Sequence, residues 1–291
     1  MENKVRKIFS PIALIVLLVA SVGIWSSVFA TSDKKLKVVF LNVGQGDGTY
    51  VEFSDGKNAL IDGGPDKAVL EGLGKNMPFY KRKIDIIFLS HPHADHLAGL
   101  IYVLKRYEVG RVVMTKAVHT SPEYKEFLAL VRDKKIPVTD GLRGTEFDFS
   151  STEKIKILYP GAITDSSNLN NTSEVLMLED EKNKFLFMGD LEKEASDKLI
   201  GLGYSLQAEV IKVPHHGSQN ALNEELYKKV KPEYAIISVG AGNSYGHPHQ
   251  ILLNFLQKAG IKTDRTDQEG DIGFSSDGTR IERIKSGIKF F

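Results

Sequence analysis

The chain contains no cysteine among its 291 residues. The absence of thiols excludes a disulfide scaffold, a thiolate metal site and a lipid-modified N-terminal cysteine. Any metal centre in this protein must therefore be built from imidazole and carboxylate ligands, which are the groups that zinc and similar ions take when thiolate is missing.

The chain also lacks an excess of charge of either sign. Its 38 basic and 37 acidic residues leave a formal net charge of +1, so no overall field draws the protein onto nucleic acid. Basic residues occur in short scattered runs, as at residues 81–83, and aromatic residues do not alternate with them as they would in a platform for single strands. Low-complexity tracts and repeats are missing too. After a polar linker at residues 31–35, we therefore predict one domain over residues 36–291.

The N-terminus has the layout of an export signal. Lys4, Arg6 and Lys7 form a basic start, and no charged side chain occurs in residues 8–32. Val28-Phe29-Ala30 resembles a small-residue cleavage site, so residues 1–30 are predicted to be a signal peptide or an uncleaved N-terminal membrane anchor. The basic flank disfavours a buried core helix. Both readings place the rest of the chain outside the cytoplasm, in the extracellular space or at the surface of a bacterium.

Short apolar strands dominate the first part of the chain, and strands and helices alternate after it. Runs at residues 36–41, 49–53, 59–61 and 84–89 are β-branched or apolar and are separated by turn residues. Helices are predicted at residues 96–106, 122–134, 191–202, 221–229 and 250–259, with further strands between them. This order predicts an α/β protein with two sheets packed face to face and helices outside.

Seven of the eight histidines lie in three short clusters. The first cluster, residues 90–96 (SHPHADH), follows a predicted buried strand and precedes a predicted helix. Residues two apart in an extended segment face the same side, so His91 and His93 can reach one metal ion while Asp95 and His96 reach a neighbouring one. A polar loop and a closed structural metal site are the alternatives. Acids and histidines recur downstream beyond the four ligands of a structural site, which favours an open dinuclear centre.

Three more pieces follow predicted strands further along the chain. Asp190, with a glycine beside it for close approach, can bridge two metal ions. His215 and His216 form the second histidine cluster. The third cluster contains His247 and His249. His119 lies outside all the clusters and is predicted to be a surface residue.

These motifs resemble those of a known superfamily. The pattern His91-x-His93-x-Asp95-His96 resembles the signature of the metallo-β-lactamases, Asp62 resembles their early structural aspartate, and Asp190 resembles their bridging carboxylate. More narrowly, residues 42–48, 170–173, 215–218 and 246–248 resemble the exported hydrolase domain of ComEC-type competence proteins, over residues 36–274. The resemblance implies a four-layer αβ/βα metallo-β-lactamase sandwich. The competence proteins carry this domain behind many membrane-spanning helices, whereas this chain shows one hydrophobic segment, so we expect no channel.

The resemblance implies an exported hydrolase with two divalent metal ions, zinc or manganese. We expect a phosphodiester substrate, with DNA among the candidates, a membrane partner only if the N-terminal segment stays uncleaved, and no protein partner. The alternatives are a hydrolase of another bond (a surface phosphocholine ester, a lactone or a β-lactam) and a non-catalytic metal-dependent binding module. The predicted metal ligands are His91, His93, Asp95, His96, Asp190 and His247. The predicted catalytic residues are Asp95, His215 and His216, and Asp62, Asp47, Asn171 and Ser173 are predicted to be structural or to contact substrate.

Two finer expectations follow from the chain order of the superfamily. Where many relatives carry a third histidine in the first metal site, this chain has Asn171 and Ser173, and oxygen ligands favour harder ions such as Mn²⁺. The final histidine is expected after one ligand-free helix and strand and then a second helix and strand, which selects His247. His215 and His216 would then contact substrate or support the ligands, and His249 would lie at the rim.

Overall fold

The computed structural model describes residues 11–30, 35–162 and 167–285. The described residues fall into two units: residues 11–30, and residues 35–285 with the gap at 163–166. The first unit contains one helix, α1 (Pro11–Ala30). Within the described ranges, no helix combines the length and the apolar character that crossing a membrane requires. The basic start and most of the predicted linker lie outside the described residues, so the predicted signal peptide stays a prediction.

The second unit alternates strands and helices as follows. Its strands are β1 (Leu36–Phe40), β2 (Thr49–Glu52), β3 (Asn58–Ile61), β4 (Lys83–Ile84), β5 (Ile86–Leu89), β6 (Glu108–Val109), β7 (Val112–Met114), β8 (Val138–Asp140), β9 (Glu146–Asp148), β10 (Glu153–Tyr159), β11 (Val175–Asp180), β12 (Asn183–Phe187), β13 (Val210–Lys212), β14 (Tyr234–Ile237), β15 (Lys262–Arg265), β16 (Ile272–Ser276) and β17 (Ile281–Lys285). Its helices are α2 (Ala68–Asn76), α3 (Ala94–Arg106), α4 (Pro122–Asp133), α5 (Lys193–Gly201), α6 (Glu224–Val230), α7 (Gln250–Lys258) and α8 (Thr266–Glu269). Short 3₁₀ turns occur at Leu169–Thr172, Pro214–Gly217 and Gln219–Ala221.

Two sheets form the centre of this unit. The first has the order β17-β16-β1-β2-β3-β5-β7-β8, and the second has the order β15-β14-β13-β12-β11-β10-β9. Apolar side chains from both sheets form one buried cluster between them, which includes Phe40, Phe88 and Phe185. Helices α2, α3 and α4 cover the outer face of the first sheet, and α5, α6 and α7 cover that of the second. The predicted four-layer αβ/βα sandwich is confirmed.

Burial on both faces explains the apolar strands. In β1, Val38 packs between the sheets while Val39 packs against the outer helices, and both are fully buried. A strand with two buried faces needs apolar residues at successive positions, so it loses the alternation typical of a half-exposed strand. The same reasoning applies to β5, all four residues of which are buried.

The parallel strands determine where the functional residues meet. In the first sheet β5 runs parallel to β3, and in the second sheet β12, β13 and β14 run parallel to one another. The loops that follow parallel strands emerge at the same edge of a sheet. The segments that begin at Asp62, Ser90, Asp190 and His215 are therefore brought together at one end of the sandwich.

Helix α2 was not predicted from the sequence. It contains Gly72 and Gly74, which weaken a helical pattern because glycine is a poor helix former. The structure shows why a glycine stands at position 72: a Cβ there would lie 3.0 Å from the side chain of Leu41. Close packing of α2 on the first sheet thus outweighs the local propensity.

Candidate metal centre

The first pair of histidines lies on the short segment between β5 and α3. Nε2 of His91 is 2.9 Å from Nδ1 of His93 and 4.0 Å from Oδ2 of Asp190. Burial lowers the pKa of both imidazoles, and that of His91 falls well below its ordinary value. Both rings are therefore neutral near pH 7, which is the form that binds a metal ion. His91 thus lies close to both His93 and Asp190.

A second group lies directly beside the first. Asp95, His96, Asp190 and His216 each offer one ligand atom, and these four atoms lie within 4.8 Å of one another. Nε2 of His216 is 3.2 Å from Oδ2 of Asp95 and 3.5 Å from Oδ2 of Asp190. Asp190 is a member of this group and also lies 4.0 Å from His91, a position from which a carboxylate can reach two ions.

The second group has the properties of a cation site. Nε2 of His96 and Oδ1 of Asp190 are buried, 3.3 Å apart, and neither has a well-aligned hydrogen-bond partner among the described residues. Buried polar atoms are normally satisfied. Two carboxylates and two imidazoles suit a divalent ion such as Zn²⁺ or Mn²⁺, and a cation between them would satisfy both buried atoms. The residues therefore fit the metal that the motif implies.

Asp62 fixes the orientation of His96. It adopts a left-handed backbone conformation (φ +57°) directly after β3. Its carboxylate accepts hydrogen bonds from the backbone N–H and hydroxyl of Ser90, at 2.8 and 2.7 Å, and lies 2.8 Å from Nδ1 of His96. Because Nδ1 donates to the carboxylate, the lone pair of Nε2 is directed into the site, an arrangement typical of metal-bound histidines.

His216 is placed by a sharp turn after β13. Both His215 and His216 adopt left-handed conformations, with φ of +50° and +52°. Nδ1 of His216 is 2.9 Å from the carbonyl oxygen of Ser238, so it donates there while Nε2 faces Asp95. Burial opposes the charged form of this ring, but the carboxylates of Asp190 and Asp47 outweigh it and raise the pKa of His216 well above its ordinary value. The position thus favours a positive charge.

This geometry favours His216 in the place that the sequence predicted for His247. The ring of His247 lies 5.6 Å from that of His215 and 6.3 Å from that of His216, outside the group of converging ligand atoms. Burial and the neighbouring histidines lower its pKa to about 4. The chain-order argument selected His247 because it treated β13 as ligand-free, whereas the turn after β13 folds back into the site. His249 accepts a hydrogen bond from the backbone N–H of Gln219 and precedes α7.

His215 lies at the more exposed side of the centre. Its Nε2 is 3.9 Å from Oδ2 of Asp190, and its Nδ1 is 3.6 Å from Oε1 of Glu192. The carboxylate of Glu192 accepts hydrogen bonds from the side-chain amides of Asn168 and Asn170. Sequence reasoning missed Glu192, although an acid two residues after the predicted bridging aspartate was an available signal.

Asn171 and Ser173 support the loop of Asp190 in this structure. Oδ1 of Asn171 accepts from the backbone N–H of Glu192 at 3.1 Å, and Oγ of Ser173 accepts from the backbone N–H of Asp190 at 3.0 Å. Neither side chain belongs to the converging ligand groups of the described residues. Their hydrogen bonds hold the loop that carries the Asp190 carboxylate. The expected preference for manganese stays a prediction.

Asp47 anchors the glycine-rich loop beneath the centre. It forms a buried ion pair with Lys212, and its Oδ1 lies 3.3 Å from Nδ1 of His216. A Cβ at Gly46 would lie 2.1 Å from the carbonyl oxygen of Asp95, so only glycine allows this approach to α3. The sequence analysis did not identify Lys212, although a lysine within the apolar run of β13 could have indicated a buried ion pair.

His119 is closer to the centre than a surface residue would be. Its ring lies 6.1 Å from that of His93, and its Nδ1 accepts from the backbone N–H of Ser121. The side chain is half-buried. The loop that carries His119 therefore borders the first pair of histidines. The sequence offered no indication of this proximity, because His119 is distant from His91 and His93 along the chain.

Glu174 is a buried acid that the motifs did not indicate. It precedes β11, its side chain packs against Gly141, and neither carboxylate oxygen has a hydrogen-bond partner among the described residues. Burial, reinforced by the charge of Asp62, raises the pKa of Glu174 well above its ordinary value of 4.5. The fold thus favours the neutral form of this carboxyl.

Replacing Glu174 by glutamine should stabilise the protein at about pH 8 and change little near pH 4.5. The unfolded chain ionises this group above its ordinary pKa, so folding must take up a proton. Below that pKa both states carry the proton, and the free energy of unfolding is at its full value. As the pH rises above it, the free energy of unfolding falls by about 1.4 kcal/mol per pH unit until the pH reaches the raised pKa. Thermal melts of both proteins across this range measure the difference.

Glu179→Gln provides the matched control, because Glu179 lies on β11 and pairs with Lys156 and Lys184. These lysines overcome its partial burial and lower its pKa, so its substitution should not stabilise the protein as the pH rises. A Glu174→Gln variant whose advantage stays constant with pH would contradict a neutral buried carboxyl.

The family model described as "Metallo-beta-lactamase superfamily" matches residues 41–241. ComE operon protein 3 of Bacillus subtilis is 31% identical over 82% of this chain, and competence protein ComA of Neisseria gonorrhoeae is 26% identical over 88%. The chain spans 33% and 35% of the lengths of these two relatives. A segment covering 21% of the chain is 43% identical to Endoribonuclease YSH1 of Saccharomyces cerevisiae.

Solved structures show the same fold. Igni18, a metallo hydrolase from Ignicoccus hospitalis, matches 82% of this chain and 98% of its own, with a TM-score of 0.52 and 17% identity. Zn(2+)-bound PqqB from Methylobacterium extorquens matches 79% of this chain and 97% of its own, with a TM-score of 0.52 and 9% identity. At these identities the likeness concerns the fold alone.

Proposed function

The chain belongs to the metallo-β-lactamase superfamily, with ComEC-type competence proteins among its relatives, and from this premise we propose that it hydrolyses phosphodiester bonds of nucleic acid outside the cytoplasm. The superfamily consists of metal-dependent hydrolases, and the residues fit two divalent ions. One observation carries the proposal: Asp190 converges with Asp95, His96 and His216 and also lies 4.0 Å from His91. A carboxylate in this position suits a two-ion centre for in-line displacement at phosphorus.

The reaction adds water to phosphorus and breaks the bond to one bridging oxygen, which leaves as an alcohol after gaining a proton. Two divalent ions at such a centre supply Lewis-acid activation of the water and stabilisation of charge on the phosphoryl oxygens. His91 and His93 would hold one ion, Asp95, His96 and His216 the other, and Asp190 both. His215 directs Nε2 towards the same space and can donate a hydrogen bond to the leaving oxygen.

The position of α3 favours an anionic substrate. The helix begins at Ala94, so its N-terminal turn contains Asp95 and His96 and lies at the centre. Free backbone N–H groups and the helix dipole at this end favour an anion such as a phosphate group. A simple lactone carries no anionic group, and a β-lactam carries a carboxylate but no phosphate. A binding module without catalysis would tolerate eroded ligands, whereas His91, His93, Asp95, His96 and Asp190 are all present here.

A substrate panel tests the proposal. The metal-free protein is assayed after addition of Mn²⁺ or Zn²⁺ with a DNA oligonucleotide, bis-p-nitrophenyl phosphate, p-nitrophenylphosphocholine and nitrocefin. We expect hydrolysis of the first two substrates and its loss in excess chelator. Faster turnover of the phosphocholine ester or of nitrocefin than of DNA would replace the proposed substrate class, and no turnover of any substrate would favour the binding module.

We also propose that residues 1–30 direct export and are removed after Ala30, because a basic start followed by an uncharged run and small residues is the pattern that signal peptidases read. The expected mature protein begins at Thr31. Intact-mass measurement of protein recovered from its bacterial host checks this. A full-length product that stays in the cytoplasm would contradict export.

A further inference from the structure

The loop between β14 and α7 is held in shape by one asparagine. The side-chain amide of Asn243 donates to the carbonyl oxygens of Gly240 and His247, at 3.0 and 2.7 Å. Its Oδ1 accepts from the backbone N–H groups of Tyr245 and His247, at 3.2 and 3.0 Å. Bonds to both sides of the loop fix its backbone, so the side chains it presents are positioned before any ligand binds.

The loop exposes an aromatic ring that His247 links to His215 and His216. Tyr245 is 64% exposed, and its ring stacks on that of His247 with centroids 5.7 Å apart and planes 22° from parallel. His247 in turn contacts the rings of His215 and His216. A continuous row of rings thus leads from the second metal group to solvent and ends in the free ring of Tyr245.

We propose that Tyr245, supported by His247, is a stacking subsite for an unpaired nucleobase next to the scissile phosphate, which makes single-stranded nucleic acid the substrate class. The inference rests on the proposed phosphodiesterase function. Bases inside a duplex are stacked on both faces, so only an unpaired base can cover an aromatic ring on the protein. Every base has such a face, so this subsite selects strandedness and tolerates any sequence.

The placement also explains why the sequence did not suggest a platform. Tyr245 has no neighbouring run of basic residues, and its stacking partner lies two positions away. The partnership arises because Asn243 folds the loop so that the rings at positions 245 and 247 overlap. The negative charge of the phosphate would be bound by the metal ions and not by a patch of basic side chains.

The test compares KM and kcat for a mixed-sequence single strand and for a strand of equal length and charge whose bases are replaced by abasic sites. Tyr245→Ala should raise KM for the first strand about 5- to 150-fold, because base stacking on an aromatic side chain contributes about 1–3 kcal/mol. kcat should stay within about twofold. Tyr245→Phe, which keeps the ring, should restore the wild-type KM.

Tyr204→Ala is the matched control. Tyr204 is also exposed, at 44%, but precedes β13, whereas the metal centre follows that strand. On the abasic strand the wild type and Tyr245→Ala should behave alike. A KM for the base-bearing strand unchanged in Tyr245→Ala, or a wild type that treats both strands equally, would overturn the subsite while leaving phosphodiester hydrolysis intact. A wild type that hydrolyses neither strand nor bis-p-nitrophenyl phosphate would overturn the proposed function and the subsite with it.

Discussion

Replacement of Asp190 by asparagine is expected to lower metal-dependent phosphodiesterase activity at least about a thousandfold and to reduce the bound metal to fewer than two ions per chain. The carboxylate of Asp190 lies within 4 Å of His91, His96 and His216. Losing its charge weakens both proposed sites at once. Metal contributes several kcal/mol of transition-state stabilisation, and each 1.4 kcal/mol corresponds to a factor of ten in rate.

The measurement combines turnover of bis-p-nitrophenyl phosphate with metal analysis by mass spectrometry. Glu194→Gln is a suitable control because it makes the same chemical change on the exposed surface of α5, where Glu194 pairs only with Lys198 among the described residues. His93→Ala should lose one ion and most of the activity as well. Two retained ions and undiminished turnover in Asp190→Asn would rule out a shared carboxylate.

His216→Ala should lose one of two metal ions and about 100- to 10,000-fold in turnover, and His247→Ala should keep both ions. The reason is geometric. Nε2 of His216 lies 3.2 Å from Asp95, and Nδ1 is oriented by the carbonyl oxygen of Ser238. Removing an oriented ligand costs several kcal/mol of metal affinity and transition-state stabilisation. His247 packs on His215 and has no such contact with a carboxylate among the residues that the structure describes.

The two alanine variants control for each other, since both remove an imidazole at the same edge of the second sheet. Metal analysis, with circular dichroism to verify folding, separates loss of a ligand from loss of structure. If His216→Ala retains both ions and His247→Ala loses one, then His247 is the metal ligand, as the chain order predicts. Loss of one ion in each would point to two alternative ligands.

Much of the chemistry could be predicted from the sequence because its groups are close along the chain. Four potential ligands fall within residues 91–96, and the extended segment before α3 orients His91 and His93 by local geometry alone. Asp190 could be predicted for a similar reason, since it directly follows a buried strand beside a glycine. The absence of cysteine determined the type of donor, and burial of strands on both faces determined the sandwich.

Contacts between distant segments decided the rest. The choice between His216 and His247 depends on the left-handed turn after β13, which the carbonyl oxygen of Ser238 and the carboxylate of Asp47 stabilise from two other loops. Periodicity carries no signal for such a turn, because a left-handed conformation at a histidine is imposed by its surroundings.

The supporting residues follow the same division. Lys212 pairs with Asp47 across 165 positions of the chain, and Ser90 and Asp62 meet because β5 runs parallel to β3. Tyr245 became a candidate for base stacking only when the loop that Asn243 organises placed it beside the centre. The sequence by itself determined which groups could bind metal, since ligand chemistry is a property of single residues and their near neighbours. The tertiary structure decided which of them converge, because convergence depends on the register of two sheets and the turns at one edge.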